Sequence, residues 1–136
     1  MLRNLTFGAA LVLSVFLTSC LTDEVAPNIS LRNAAGDTIT TDTLTIGLNE
    51  ILTVVSITED DQDISTVEYF QGYPDASELL IDYAAPIDLT NRRHEVFVDL
   101  SFPDTLYISG EFGTLRVRAE DREGNVSELN KRIRVN

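Results

Sequence analysis

The heptapeptide Leu115-Arg116-Val117-Arg118-Ala119-Glu120-Asp121 alternates apolar and charged residues without a slip until its final acidic pair. Successive side chains of an extended strand point to opposite faces, so this pattern buries one face and wets the other. A helix would scatter the same residues around its circumference. Ser127 to Val135 repeats the pattern, with Leu129, Ile133 and Val135 on one face and Lys131 in phase with them, as fits a strand that meets an edge. Between the two runs lies DREGN, in which Gly124 supplies the positive φ that closes a hairpin. The last two strands are therefore expected to form an antiparallel pair.

The same period extends upstream. His94 to Leu100 alternates and stops before Pro103, Ile64 to Gln71 carries Val67 and Tyr69 in phase, and Pro27–Arg32 and Thr38–Ile46 are rich in Thr and Ile. Ile51 to Thr58 is apolar on both faces, Leu52 and Val54 on one, Ile51, Val55 and Ile57 on the other, so either could point inward. Helical periodicity is weak throughout; Ala76 to Ala85 has a mild helical preference that Pro86 closes. About seven short strands, punctuated by turn signals every 8–12 residues, predict an all-β fold, an antiparallel β-sandwich over residues 27–136.

Charge narrows the partners. Asp and Glu number 22 against 10 Lys and Arg, a formal charge of −12, and the basic residues are scattered apart from Arg92-Arg93 and Lys131-Arg132. Nucleic acid, which is bound by clustered cations, is excluded as an expected partner.

The N-terminus carries a different signal. Arg3 is followed by an apolar stretch from Leu5 to Leu17, too short to span a bilayer but of the length of a signal-peptide core. It ends at Leu17-Thr18-Ser19-Cys20, which contains the only cysteine and resembles the lipobox of bacterial lipoproteins. That resemblance implies that residues 1–19 are a cleaved signal peptide, that Cys20 carries the lipid, and that residues 20–26 are a tether. Two or three acyl chains, each buried CH₂ contributing about 0.8 kcal/mol, make a durable membrane anchor. The following Leu21-Thr22-Asp23-Glu24 resembles the surface-export signal of Bacteroidota lipoproteins, implying an outer-membrane, outward-facing location. With one cysteine, no intramolecular disulfide can form.

VRAEDREGNVSELNKRIRV resembles the final hairpin of bacterial immunoglobulin-like domains, and ITEDDQDISTVEYF resembles the turn between their second and third strands. The layout as a whole is similar to small Bacteroidota surface lipoproteins of unknown function that carry one such domain, which implies an immunoglobulin-like sandwich. Two features depart from that pattern. There is no tryptophan for the core, and Phe112 falls out of frame with Leu115 and Val117, leaving the tyrosine-corner position unfilled or displaced by a bulge near Gly110 and Gly113.

The chemistry on offer points away from an enzyme. The single imidazole, His94, stands beside Arg92 and Arg93 and reads as a solvent-facing edge residue, and no phosphate loop, metal-ligand spacing or nucleophile elbow is present. No cofactor is expected, with calcium the one candidate. The turn holding Asp60, Asp61 and Asp63 and the turn holding Asp121, Glu123 and Asn125 are expected at one end of the sandwich, where six to eight converging oxygens would suit that ion. The same residues are also ordinary turn formers. Tyr69, Tyr73 and Tyr83 are candidates for an exposed patch that stacks on sugar rings. The expected function is a lipid-anchored binding, adhesion or assembly module with a surface glycan or protein as partner. The alternative is an accessory lipoprotein of a glycan-uptake system.

Overall fold

The computed structural model describes residues 25–84 and 92–136. Leu17, Thr18, Ser19, Cys20 and the signal-peptide and tether assignments up to residue 24 lie outside the described residues. Eight strands follow one another: β1 (Asn28–Arg32), β2 (Thr43–Ile46), β3 (Ile51–Glu59), β4 (Ile64–Gly72), β5 (Glu78–Ala84), β6 (Arg93–Ser101), β7 (Phe112–Asp121) and β8 (Val126–Val135). They form a three-stranded sheet, β1-β3-β6, and a five-stranded sheet, β2-β8-β7-β4-β5. In immunoglobulin terms β1, β3 and β6 occupy places A, B and E, β4, β7 and β8 occupy C, F and G, and β5 is C′. The domain is an immunoglobulin-like β-sandwich.

The strongest alternation in the sequence becomes the middle of the larger sheet. β7 and β8 pair without interruption from Phe112↔Arg134 to Glu120↔Val126. Gly124, at φ +86°, closes their hairpin, where Asp121 N–H donates to Asn125 O. Leu115, Val117, Ala119, Ile133 and Val135 are wholly buried and pack with Val67 of the same sheet and with Leu31, Val54, Val98, Leu100 and Phe102 from across the sandwich. Lys131 points the same way, yet its ammonium escapes to the rim and donates to Thr41 O at 2.7 Å. Its aliphatic stem fills core space while the charge finds an oxygen.

Three expectations change. The sandwich is not wholly antiparallel, because the chain leaves β1, crosses to the other sheet and runs as β2 parallel to β8. The segment of mild helical preference, in which no strand was expected, holds strand β5 from Glu78 to Ala84, fixed by the otherwise open edge of β4. Tertiary pairing overrides the local preference, and β5 follows a turn in which Ala76 holds φ +66°. Finally, no bulge displaces β7 near Gly110 or Gly113; the register shifts fall where β4 meets β7, between Ile64 and Thr66, and where β4 meets β5, opposite Tyr69 and Phe70, with Ile81 of β5 as the extra residue.

The ambiguous strand resolves through its partners. Val54 lies opposite Val98 and Leu52 opposite Leu100, so Leu52, Val54, Ser56 and Thr58 face inward. Ile51 lies on the outer face and is exposed, whereas Val55 and Ile57, also on the outer face, are buried outside the main core cluster.

Gly113 takes an inward position on β7, and the space above it is filled by Tyr107 from the β6–β7 loop. The Tyr107 hydroxyl donates to Gly72 O at 3.1 Å and accepts from Gln71 Nε2 at 3.0 Å, while Gln71 also donates to Ser101 O at 2.7 Å. The Tyr107 ring meets Phe102 edge-on at 5.1 Å. A tyrosine thus ties the β6–β7 crossing to the end of β4, from the loop and not from the strand where the corner residue was sought.

Candidate functional site

The two acidic turns do share one end of the sandwich. Arg122 N–H donates to Asp63 O at 3.1 Å, joining the β7–β8 turn to the β3–β4 turn. The carboxylates of Asp63 and Asp121, however, are already engaged, while Asp60 Oδ2 is buried without a hydrogen-bond partner. Asp63 lies 3.1 Å from Arg122 Nη1 and 4.0 Å from Arg92 Nε. Asp121 is buried and accepts both Asn125 N–H (2.8 Å) and Asn125 Nδ2 (2.7 Å), which is turn closure. Asp60 accepts Gln62 N–H at 2.9 Å; burial pushes its carboxyl pKa up, with Asp61 and Asp121 adding to the rise. Glu123 is exposed. Among the described residues no three His, Cys, Asp or Glu side chains form a group that could hold a metal ion. Asp60, Asp61, Asp63, Asp121, Glu123 and Asn125 therefore do not converge as a calcium cage.

The tyrosines do not form one patch either. Tyr69 lies opposite Asp82 and points inward, wholly buried, whereas Tyr83 lies opposite Glu68 on the outer face and is half-exposed. Tyr73 is half-buried, its ring 5.7 Å from that of Tyr107, at the mouth of an open cleft of about 350 Å³ that Pro74, Asp75 and Leu106 also line. A one-residue step in a strand moves a side chain to the other face, and this separates Tyr69 from Tyr83.

His94 stands at the start of the edge strand β6, as expected, but its side chain faces inward and not toward solvent. It is in phase with the inward-facing Val96 and Val98, opposite Thr58, and half-buried. Burial lowers its pKa, with Asp82 opposing. The Ser56, Thr58 and Tyr69 hydroxyls and His94 Nε2 are all buried there without hydrogen-bond partners. Burial pushes the Tyr69 phenol up to about 12; nearby Ser56 opposes that shift without reaching hydrogen-bond geometry.

The outer face of the five-stranded sheet carries the densest side-chain chemistry. Arg116 reaches Glu78 at 2.7 Å and Glu128 at 3.1 Å, with its guanidinium 4.0 Å above the Phe70 ring. Arg118 reaches Glu68 at 3.1 Å and Glu120 at 3.0 Å. Hydrogen bonds from Arg116 hold the Glu78 carboxyl below its usual range, and both guanidinium pKa values are raised, foremost by Glu78 for Arg116 and by Glu120 for Arg118. Exposed pairs contribute at most about 1 kcal/mol each, so the lattice sets the order of the face more than its stability. Arg132, whose guanidinium lies 4.1 Å over the Phe112 ring, and Arg134 continue the face toward β2. The sequence signal for this surface was the set of polar positions of β7 and β8, the complement of those read for the core.

Comparison with known proteins adds the following. No protein-family model matches the chain, and no curated protein matches it. Among solved structures the chain is similar to murine CRIg, at 10% identity over 82% of this chain and 97% of that one, with a TM-score of 0.42. It is also similar to the sporulation control protein Spo0M from Bacillus subtilis, at 14% identity and a TM-score of 0.46, over 82% of this chain but only 49% of Spo0M.

Proposed function

We propose that this chain is a lipid-anchored envelope protein whose immunoglobulin-like sandwich is a non-catalytic binding or adhesion module held at the outer-membrane surface. The observation that carries the reading is Leu17-Thr18-Ser19-Cys20, which stands just ahead of a sandwich that begins at Asn28. Residues 20–26 could reach at most about 25 Å when extended, so an anchor at Cys20 keeps the sandwich close to the lipid. The net charge of −12 gives no attraction to an anionic membrane, which leaves the acyl chains to supply the attachment. The core is continuous between the two sheets, so the surfaces available to a partner are the outer faces and the turns.

Labelled palmitate tests the reading in cells that express the full chain. Label is expected in the native protein and not in Cys20→Ala, which should leave the membrane fraction. External protease should degrade the sandwich on intact cells. Unlabelled native protein, or a Cys20→Ala variant that stays with the membrane, would refute the anchor.

A further inference from the structure

Four arginines stand on the outer face of the five-stranded sheet in a chain of formal charge −12. Arg116 and Arg118 are each held by two carboxylates. Arg132 and Arg134 have none among the described residues. Their cross-strand neighbours are hydroxyls and a ring: Thr43 and Thr114 flank Arg132, and Thr45 and Phe112 flank Arg134. Two acidic residues stand close by on neighbouring segments, Glu111 and exposed Asp42, and neither pairs with these arginines. Asp42 lies 4.0 Å from Lys131 Nζ, and Glu111 Oε2 accepts Ile108 N–H at 2.9 Å.

Two guanidinium groups two residues apart on one strand face have their Cα atoms about 7 Å apart, and like charges so placed repel. Elsewhere on the sheet that repulsion is cancelled by glutamates; here it is left open in an acidic protein with carboxylates to spare. Stacking on Phe112 restrains Arg132, so less side-chain entropy is lost when its N–H edge meets an anion. We infer that Arg132, Arg134, Thr43, Thr45, Thr114 and Phe112 form a binding surface for an acidic polysaccharide. The arginines take its carboxylate or sulfate groups and the threonines its hydroxyls.

Charge selects that class of ligand. Two cations are too few to hold nucleic acid, and the surrounding acidic surface repels a densely charged polymer. A polysaccharide with no more than one anion per sugar presents several hydroxyls between its charges, which threonines match as both donors and acceptors. The inference rests on the reading of the sandwich as a binding module and is independent of the lipid.

The test is calorimetric titration of the full-length protein in non-ionic detergent with polygalacturonate, dextran sulfate and neutral dextran. One or both charged polymers should bind, which identifies the preferred anion, and neutral dextran should not. The Arg132→Gln/Arg134→Gln variant should lose at least tenfold in affinity with its melting temperature unchanged, while Arg116→Gln, which alters the glutamate lattice over Phe70, should bind as the native chain does. Raising salt fourfold should weaken binding by about sevenfold if two cations release counterions as at a single-stranded polyanion. Failure to bind either charged polymer, or full affinity in the double variant, overturns the inference. So does equal affinity for poly-L-glutamate, which would assign the surface to acidic peptides. Loss of palmitate labelling with glycan binding intact would remove only the anchor; intact labelling without glycan binding would remove only this surface.

Discussion

Tyr69 and Tyr107 are both wholly buried aromatic residues of one core, yet removal of their hydroxyls should have opposite effects. In Tyr107→Phe the ring and its edge contact with Phe102 remain, but two hydrogen bonds go, one to Gly72 O and one from Gln71 Nε2. Gln71 keeps its bond to Ser101 O, so a single amide N–H is stranded. At about 1 kcal/mol for each lost bond, with part of that again for the stranded group, the variant should lose about 2 kcal/mol. For a domain of this size that is a fall of about 10 °C in Tm. The Tyr69 hydroxyl has no partner to lose. Tyr69→Phe removes a desolvated polar atom at constant ring volume and should be neutral or stabilising by up to about 1 kcal/mol. Urea denaturation of both full-length variants, followed by far-UV circular dichroism, compares them directly. Equal losses from the two substitutions would refute the assignment of the β6–β7 tether to the Tyr107 hydroxyl.

Two further outcomes follow from the same packing. A methyl group at Gly113 would lie 3.0 Å from Phe102 Cε1, 3.1 Å from Gly72 O and 3.2 Å from the Tyr107 oxygen, so Gly113→Ala should cost about 1–3 kcal/mol in thermal denaturation; an unchanged Tm would show that the tether yields freely. Burial depresses the pKa of His94 below 6.5, so below that pH the unfolded chain takes up a proton that the folded chain refuses. Its contribution is therefore complete above about pH 6.5 and is lost as pH falls toward the folded pKa. Stability measured from pH 7 to pH 5 should decline less in His94→Gln than in the native protein, and parallel declines would contradict the inward placement.

The hairpin of β7 and β8 could be read directly, because each strand is solvated on one side and its alternation records that fact residue by residue. Lys131 was legible for the same reason, its phase marking a core position and its charge requiring an exit. Ile51 to Thr58 was not, since apolar side chains on both faces erase the signal that separates inside from outside. Strand β5 was missed because its conformation comes from the edge of β4, a non-local cause that no local preference reports. The tyrosines failed by one step of register: Tyr69 and Tyr83 are near in space but on opposite sides of the sheet. Tyr107 carried no periodic signal, being a loop residue whose place is set by the vacancy above Gly113. The two acidic turns were placed at one end correctly, and their composition said nothing about arginines arriving to occupy Asp63.

The crossing of the chain from β1 to β2 has a mechanical consequence. Ser127, at the start of β8, donates to Pro27 O beside the start of β1, and β2 runs parallel to β8, so the two ends of the domain leave from opposite poles. A pull applied between the two ends of the sandwich would act along the strands. It would shear the β2–β8 hydrogen bonds together and not unzip them in turn, so several bonds would have to fail at once.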